Sequence, residues 1–374
     1  MSDEEIVVTG TPRDRDDDDL TLIVDDVEIS GWQEIEVTLR AEGFPNSFHI
    51  ALSAKEPVST VVRAGQLCTV LLGRDKVITG YIDRDVPGGT ATSHAINVMG
   101  RGLTQDMVDC SAEWPQGQLT SVDALTIATT LALPYSIGVE LAEGASAGEK
   151  VPQWNLNYGE TAAEIIQRVA RNAGLLAYED AHGRLLLATA GTRKAASGVV
   201  YGQNVQAWSV DNSADARFSE IVCSGSSMDG LQELGGNDFY ATERDPNVSR
   251  HRLMYMVVES VAEDPRAFTQ RKAQWEIARR AGRAAIVSVT VDSWRDADGN
   301  LWMPNTLVPV ELPTRLPSSE MCVAEVTFRR SGETGTTADL RLMPREAFTP
   351  EPISLNPINT ADVIGPETGP ETAP

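Results

Sequence analysis

The chain is 374 residues long, 41% hydrophobic and strongly acidic, with a formal net charge of -23 and a sequence pI of about 4.5. That length exceeds one ordinary core and predicts about two to four domains, while the acidity excludes a protein that grips nucleic-acid phosphates. No apolar run reaches the ~18 residues of a membrane-spanning helix, and the start MSDEEIVVTG lacks the apolar stretch of a signal peptide.

Residues 1–20 hold eight acids against two arginines, so 1–19 reads as a disordered acidic tail. From 20 to 112 the pattern is β and predicts a first barrel-like domain. LTLIVDDVEISGW is two short strands about a DD turn, and QEIEVTLR (33–40) alternates Ile35, Val37 and Leu39 against polar residues. NSFHIALS, QLCTVLLG and KVITGYIDRDV follow, with Gly88-Gly89 as a hairpin signal before SHAINVMGRG. Residues 113–200 predict an α/β insert. There TSVDALTIATTLALP takes Thr120 or Ser121 as N-cap and Val122, Leu125 and Ala132 as one face, and Pro134 stops the helix. YGETAAEIIQRVARNAG has a stripe of Ile165, Ile166, Val169 and Ala173 and Gly174 beyond its end, before a hairpin over 175–189. Residues 201–349 predict a second barrel with a long helix at about 265–282, opened by Asp264-Pro265. The acidic, proline-rich stretch 350–374 reads as a second disordered tail.

The two β regions echo each other. GQLCTVLL (65–72) lies over NTLVPVEL (305–312), VITGYIDRDV (77–86) over MCVAEVTFRR (321–330), and SHAINVMGR (93–101) over ADLRLMPR (338–345). Upstream, Trp32 and Trp208 each open a strand pair leading to SFHIALS and FSEIVCSG. The fold class is therefore mainly β, with two related β-barrels flanking a small α/β domain.

Candidate chemistry is sparse. Asp83 and Asp85 sit two apart on a strand, on the face of Val77, Thr79 and Tyr81, but the echo has no acid pair there. His49, His94, His182 and His251 lack zinc-ligand spacing. DADGN (296–300) starts like a calcium loop, yet Leu301 and Leu307 stand where that loop needs Gly and Glu, so it reads as a turn. SGSSMDG (224–230) and VPGGTATS lack the context of a nucleophile elbow or a phosphate loop. Glu140, Glu143, Glu160 and Glu164 are the only carboxylates placed to suggest a glycosidase pair, and they read as surface charge. Cys68 and Cys322 lie in apolar runs, and nothing suggests disulfides. No residue is singled out as catalytic, cofactor-binding or metal-ligating. Arg266, Arg271, Lys272, Arg279, Arg280 and Arg283 make one helix basic in an acidic chain, either as a solvated face or as a contact for an acidic neighbour.

Taken together, DKVITGYIDRDVPGG through GRGLTQDMVDCSA (75–112), NYGETAAEIIQRVARNAGLLAYEDAHGRLLL (157–187), RKAQWEIARRAGRAAIVSVTVDSW through NTLVPVEL (271–312) and LMPREAF (342–348) resemble the baseplate hub proteins of Mu-like contractile-tailed bacteriophages. These are similar in architecture to the hub of T-even phages. The resemblance covers about 20–349 and implies a non-enzymatic, trimeric virion component assembled in the host cytoplasm. It would join a six-fold tail tube to a three-fold central spike, with DNA passing through without specific binding. An acidic channel wall would suit that role, and the 350–374 stretch is placed to meet the spike. The rival readings are a cell-wall-degrading tail enzyme, the hub of a DNA-free contractile particle, and an adhesin.

Overall fold

The computed structural model describes residues 7–9, 17–54, 62–90, 94–114, 117–148, 150–226, 238–259, 265–316 and 318–348. Most of the acidic N-terminal run, all of 350–374, Asp264 and the end of SGSSMDG lie outside them.

The first β region comprises β1 (Val7–Thr9), β2 (Leu20–Val24), β3 (Val27–Ser30), β4 (Glu34–Arg40), β5 (Ser47–Ala54), β6 (Leu67–Leu72), β7 (Asp75–Gly89) and β8 (His94–Gly102). Asp25 and Asp26 turn β2 into β3 with φ of 50° and 62°, values that short polar side chains tolerate. The Gly88-Gly89 pair does not make the next turn. It continues β7, with Gly88 opposite Ala95 and Gly89 opposite His94.

The insert comprises α1 (Gln105–Asp109), β9 (Gln118–Val122), α2 (Ala124–Ala132), β10 (Val139–Leu141), β11 (Val151–Asn155), α3 (Ala162–Asn172), β12 (Leu176–Glu179) and β13 (Leu185–Ala188). The cap of α2 is Asp123, whose side chain accepts from Thr126 N; Thr120 and Ser121 belong to β9 instead. Ile127 and Leu131 carry the buried face of that helix. Thr161 and Glu164 cap α3 reciprocally, and Ile165, Ile166 and Val169 bury its stripe. β10, β13 and β12 form a small mixed sheet beneath these helices.

The second β region comprises β14 (Arg193–Lys194), β15 (Val199–Val200), β16 (Val205–Asn212), β17 (Glu220–Ser226), β18 (Asp238–Arg244), β19 (Leu253–Glu259), α4 (Pro265–Arg283), β20 (Ala285–Val291), β21 (Thr306–Glu311), β22 (Glu320–Ser331) and β23 (Gly335–Met343), and closes on a 3-10 turn at Arg345–Phe348. Its strand order β21-β22-β23-β20-β16 repeats the first region's β6-β7-β8-β5-β4. Both copies share one equivalent bulge, between Ile82 and Arg84 in β7 and between Val323 and Glu325 in β22. Superposing the bulges puts Asp83 on Ala324, whereas the sequence echo put it on Thr327. The upstream match fails at its second strand. SFHIALS forms β5, whose counterpart is β20, while FSEIVCSG runs into β17 of a separate sheet, β18-β17-β19, packed on α4. That sheet and α4 are a second insertion, placed where the first copy has only the loop 41–46.

The two copies are joined edge to edge. β4 pairs antiparallel with β22, fusing both into a 15-stranded curled sheet. The apolar face of this seam sets Leu39 opposite Val326 and Val37 opposite Phe328, all fully or almost fully buried. The polar face sets Arg40 opposite Glu325 at 2.9 Å, Thr38 opposite Thr327 at 3.0 Å, and Glu36 opposite Arg329 in an ion pair. Directly opposite pairs of this kind each add a few tenths to about 1 kcal/mol. Trp294 packs edge-on to Phe328 at 6.1 Å and donates its indole N–H to Arg329 O and Thr337 O. Arg295 adds a second tie, reaching Asp75 at 2.6 Å and Leu72 O at 3.1 Å in the first copy's hairpin.

Phe328→Ala empties the middle of the seam and is expected to cost about 3–5 kcal/mol in denaturant unfolding. A loss below about 1 kcal/mol would show that the seam is not a load shared by both copies.

Candidate assembly surface

The closed seam gives a template for edges that the chain leaves open. β22 pairs with β23 along one side; along the other it pairs first with β21, over 320–322, and then with β4, over 325–330. β7 repeats half of this arrangement. It pairs with β8 on one side and with β6 up to Tyr81 on the other. Beyond the bulge, its Arg84–Gly89 edge has no strand beside it among the described residues. Among the described residues β16, the counterpart of β4, pairs only with β20. The chain thus carries one joined β4–β22 seam and the two unjoined halves of a second.

These halves have the chemistry of unfinished edges. Val86 is 48% exposed, and Trp208 is 36% exposed on the β16 face shared with the half-buried Val210. Transferring the closed seam's register residue by residue sets Val210 opposite Pro87, Trp208 opposite Gly89 and Asp211 opposite Val86. Glycines under an aromatic leave room for the indole, and a proline is tolerated at such an edge.

The sequence candidates for chemistry are scattered by the fold. The β7 bulge breaks the alternation expected of Asp83 and Asp85. Asp83 pairs with Arg101 at 2.7 Å, while Asp85 accepts from Ala64 N at 2.8 Å. Each carboxylate is committed to its own partner. Glu140 pairs with Arg184, Glu160 with Arg168 at 2.6 Å, and Glu164 serves its helix cap, while Glu143 is exposed. His49 lies on the polar face of β5 with Nε2 buried and unpartnered, His94 pairs across the β7–β8 hairpin, His182 sits in the β12–β13 turn, and His251 is exposed. DADGN is a turn, with Asp296 accepting from the backbone N–H groups of Asp298 and Asn300. Among the described residues, no three His, Cys, Asp or Glu side chains gather to hold a metal ion. Cys68, Cys223 and Cys322 are buried thiols, and Cys110 is exposed.

Two of the helix arginines find acidic neighbours within the chain. Arg283 reaches Glu42 with both carboxylate oxygens at 2.6 Å, and Arg280 pairs with Glu276 and donates to Ala216 O. Arg271 lies over Phe268, and Lys272 over Trp275.

Sequence reading missed the residue that moors the insert. Glu179 is 4% exposed and accepts from Asn46 N at 2.9 Å and Thr104 N at 3.0 Å, both in the first β region or its exit. A Cβ on Gly102 would meet this carboxylate at 1.8 Å, so only glycine fits. Burial pushes Glu179 up to about 7, against the lowering effect of the two backbone donors. The signal was thin: a glutamate ending an apolar hairpin strand.

A raised carboxyl pKa means that the folded chain holds a proton the unfolded chain has lost. The associated stability is present below about pH 4.5 and is lost as pH rises through about 7. Unfolding free energies of the chain are expected to fall across that window by about 3 kcal/mol more than those of Glu179→Gln. Parallel pH profiles for the two would contradict the assignment.

Three family models match the chain in order. They are the GpP-like N-terminal domain of the Mu phage baseplate assembly protein over 19–102, the second domain of the gp44-like baseplate hub protein over 104–189, and the fourth domain of GpP over 265–351. The baseplate hub protein gp44 of Escherichia phage Mu is 30% identical over 343 residues, covering 88% of each chain. The 43 kDa tail protein of prophage MuSo2 from Shewanella oneidensis is similar with a TM-score of 0.79 and 29% identity, over 88% of this chain and 99% of that one. A tail protein from Neisseria meningitidis MC58 shares the fold at a TM-score of 0.74 and 22% identity, over 89% and 98%.

Proposed function

The chain belongs to the Mu-like baseplate hub family and is a structural phage tail component, not an enzyme; from that premise we propose that three copies close head to tail into a ring, each lending its β16 to the open half of the next copy's β7. The observation that carries this reading is the repeated seam, joined once within the chain and left as two matching halves at its ends. Three chains with two modules each would alternate internal and intermolecular seams around six like modules. Such a ring meets a six-fold tube through its strands and a three-fold spike through whatever occurs once per chain. Each chain also carries two unlike insertions, which suits that change of symmetry.

The polar face of the sheet would line the channel through which DNA leaves. Here the expectation of an acidic wall needs adjusting. Along the seam Glu36 is matched by Arg329 and Glu325 by Arg40, and on strands away from it Asp339 is matched by Arg329 and Asp83 by Arg101. Committed guanidinium groups hold phosphate poorly. Passage without sticking would then rest on paired charge at the seam rather than on repulsion alone.

The register is testable by cross-linking. With Cys110→Ser as background, Val86→Cys and Asp211→Cys together are expected to give disulfide-linked dimers and trimers on mild oxidation, and neither alone should do so. Light scattering should give a mass near three times 40.4 kDa. Assembly without cross-linking would overturn the seam, and a monomer at all concentrations, with or without tube and spike proteins, would overturn the ring.

A further inference from the structure

On its polar face the closed seam pairs Arg40 with Glu325, Thr38 with Thr327 and Glu36 with Arg329. The same register carried to the unjoined halves sets Ser213 opposite Arg84, Asp211 opposite Val86 and Ser209 opposite Gly88. These stretches bring one base and one acid to that face. Arg84 and Asp211 are both exposed, and neither side chain has a salt bridge or hydrogen bond among the described residues. Their neighbours on β7 are engaged, Asp83 by Arg101 and Asp85 by Ala64 N.

In this register each of the two lies diagonally, two residues from the other's direct partner. Diagonal neighbours on one face of an antiparallel pair stand about 7–8 Å apart, within reach of a long side chain. The sheet already holds one such pair. Arg329 stands opposite Thr337 and reaches Asp339, which is opposite Thr327, at 2.8 Å.

The open seam also depends more on polar contacts than the closed one. Where the closed seam sets Leu39 opposite Val326, the open one sets Asn212 opposite Asp85. The two faces then guard against different errors. A slip of two residues in one direction sets Val210 against Asp85 in place of Pro87, which the apolar face opposes. A slip of two in the other direction sets Asp211 opposite Gly88, out of reach of Arg84, which only a charge pair opposes.

We propose that, in the ring described above and resting on that reading, Arg84 of one copy pairs with Asp211 of the next, and that this ion pair selects the register and the head-to-tail direction of the intermolecular seam. The acid lies on the edge that each copy gives and the base on the edge that it receives. Two giving edges, or two receiving edges, would gain no such pair. The partner this surface fits is therefore a second copy of the chain, met in one orientation.

The test is sedimentation of the full chain across concentrations, in four forms: unaltered, Arg84→Asp, Asp211→Arg, and both changes together. Each single reversal sets like charges together at every intermolecular junction. It is expected to raise the concentration at which half the chains are trimeric about tenfold. The double exchange restores opposite charges and should return that midpoint to within about twofold of the unaltered chain. Raising salt should narrow the gap between the single reversals and the unaltered chain. Trimers whose midpoint neither reversal moves, or that the double exchange fails to recover, overturn the ion pair and leave the ring standing. If assembly needs tube or spike protein, the same four forms are compared with that protein present. A chain that assembles under neither condition overturns the ring and the pair together.

Discussion

Antiparallel pairing of residues 35–40 with 325–330 is the constraint on which the molecule depends. It joins segments almost 300 positions apart in the chain, so the loop-closure entropy it must overcome is large. It does so with contributions on both faces. Phe328, Val37, Val326 and Leu39 bury apolar area on one side, and three directly opposed polar pairs register the strands on the other. Because side chains alternate, a slip of one residue would exchange the two sets. Core burial supplies the energy, and the ion pairs, half exposed as they are, supply mainly register.

The other parts are moored to that sheet by an apolar cluster that joins Leu176 to Leu307, Cys322, Met343 and Phe348, and by a few polar contacts. The polar mooring of the insert on the first β region is one buried carboxylate, two backbone amides and a glycine. α4 is held by Arg283 on Glu42 and on the backbone of the closing turn. Both moorings use the loop 41–46. Its Ala41 and Gly43 also donate to Ala324 O and Ala177 O, so one short loop sets the angle between three units. In the second copy the same point of the topology opens into the β17–β19 sheet and α4.

Much of this was legible in the sequence because periodicity reports burial locally. The alternation of 33–40, the stripe of α3 and the Gly174 stop all reflect contacts made within a few residues. The duplication was legible at the level of strand order, yet its register was not. Matching residue types could not show the bulges at Asp83 and Ala324, where one residue drops out of the pairing. For the same reason the alternation drawn for Asp83 and Asp85 was wrong. The partner of FSEIVCSG was missed because a whole sheet is inserted after β16, and local pattern cannot tell an inserted strand from the next strand of the meander. Glu179 and the open seam were out of reach because their meaning lies in what stands beside them.

The bulge in β22 has a consequence of another kind. A body with a giving edge at one end and a receiving edge at the other is a directional link, and links of that sort polymerise without limit unless each turns the line by a fixed fraction of a circle. A bulge bends and twists its strand. The extra residue at Ala324 lies just before the β4 pairing begins, and the like bulge at Asp83 lies just before the open edge of β7, where in the proposed ring it would turn a neighbour added there in the same way. In the proposed ring, closure would then be a matter of angle, written into the backbone at these two bulges, and a chain that straightened either one would keep both edges and gain a fibre.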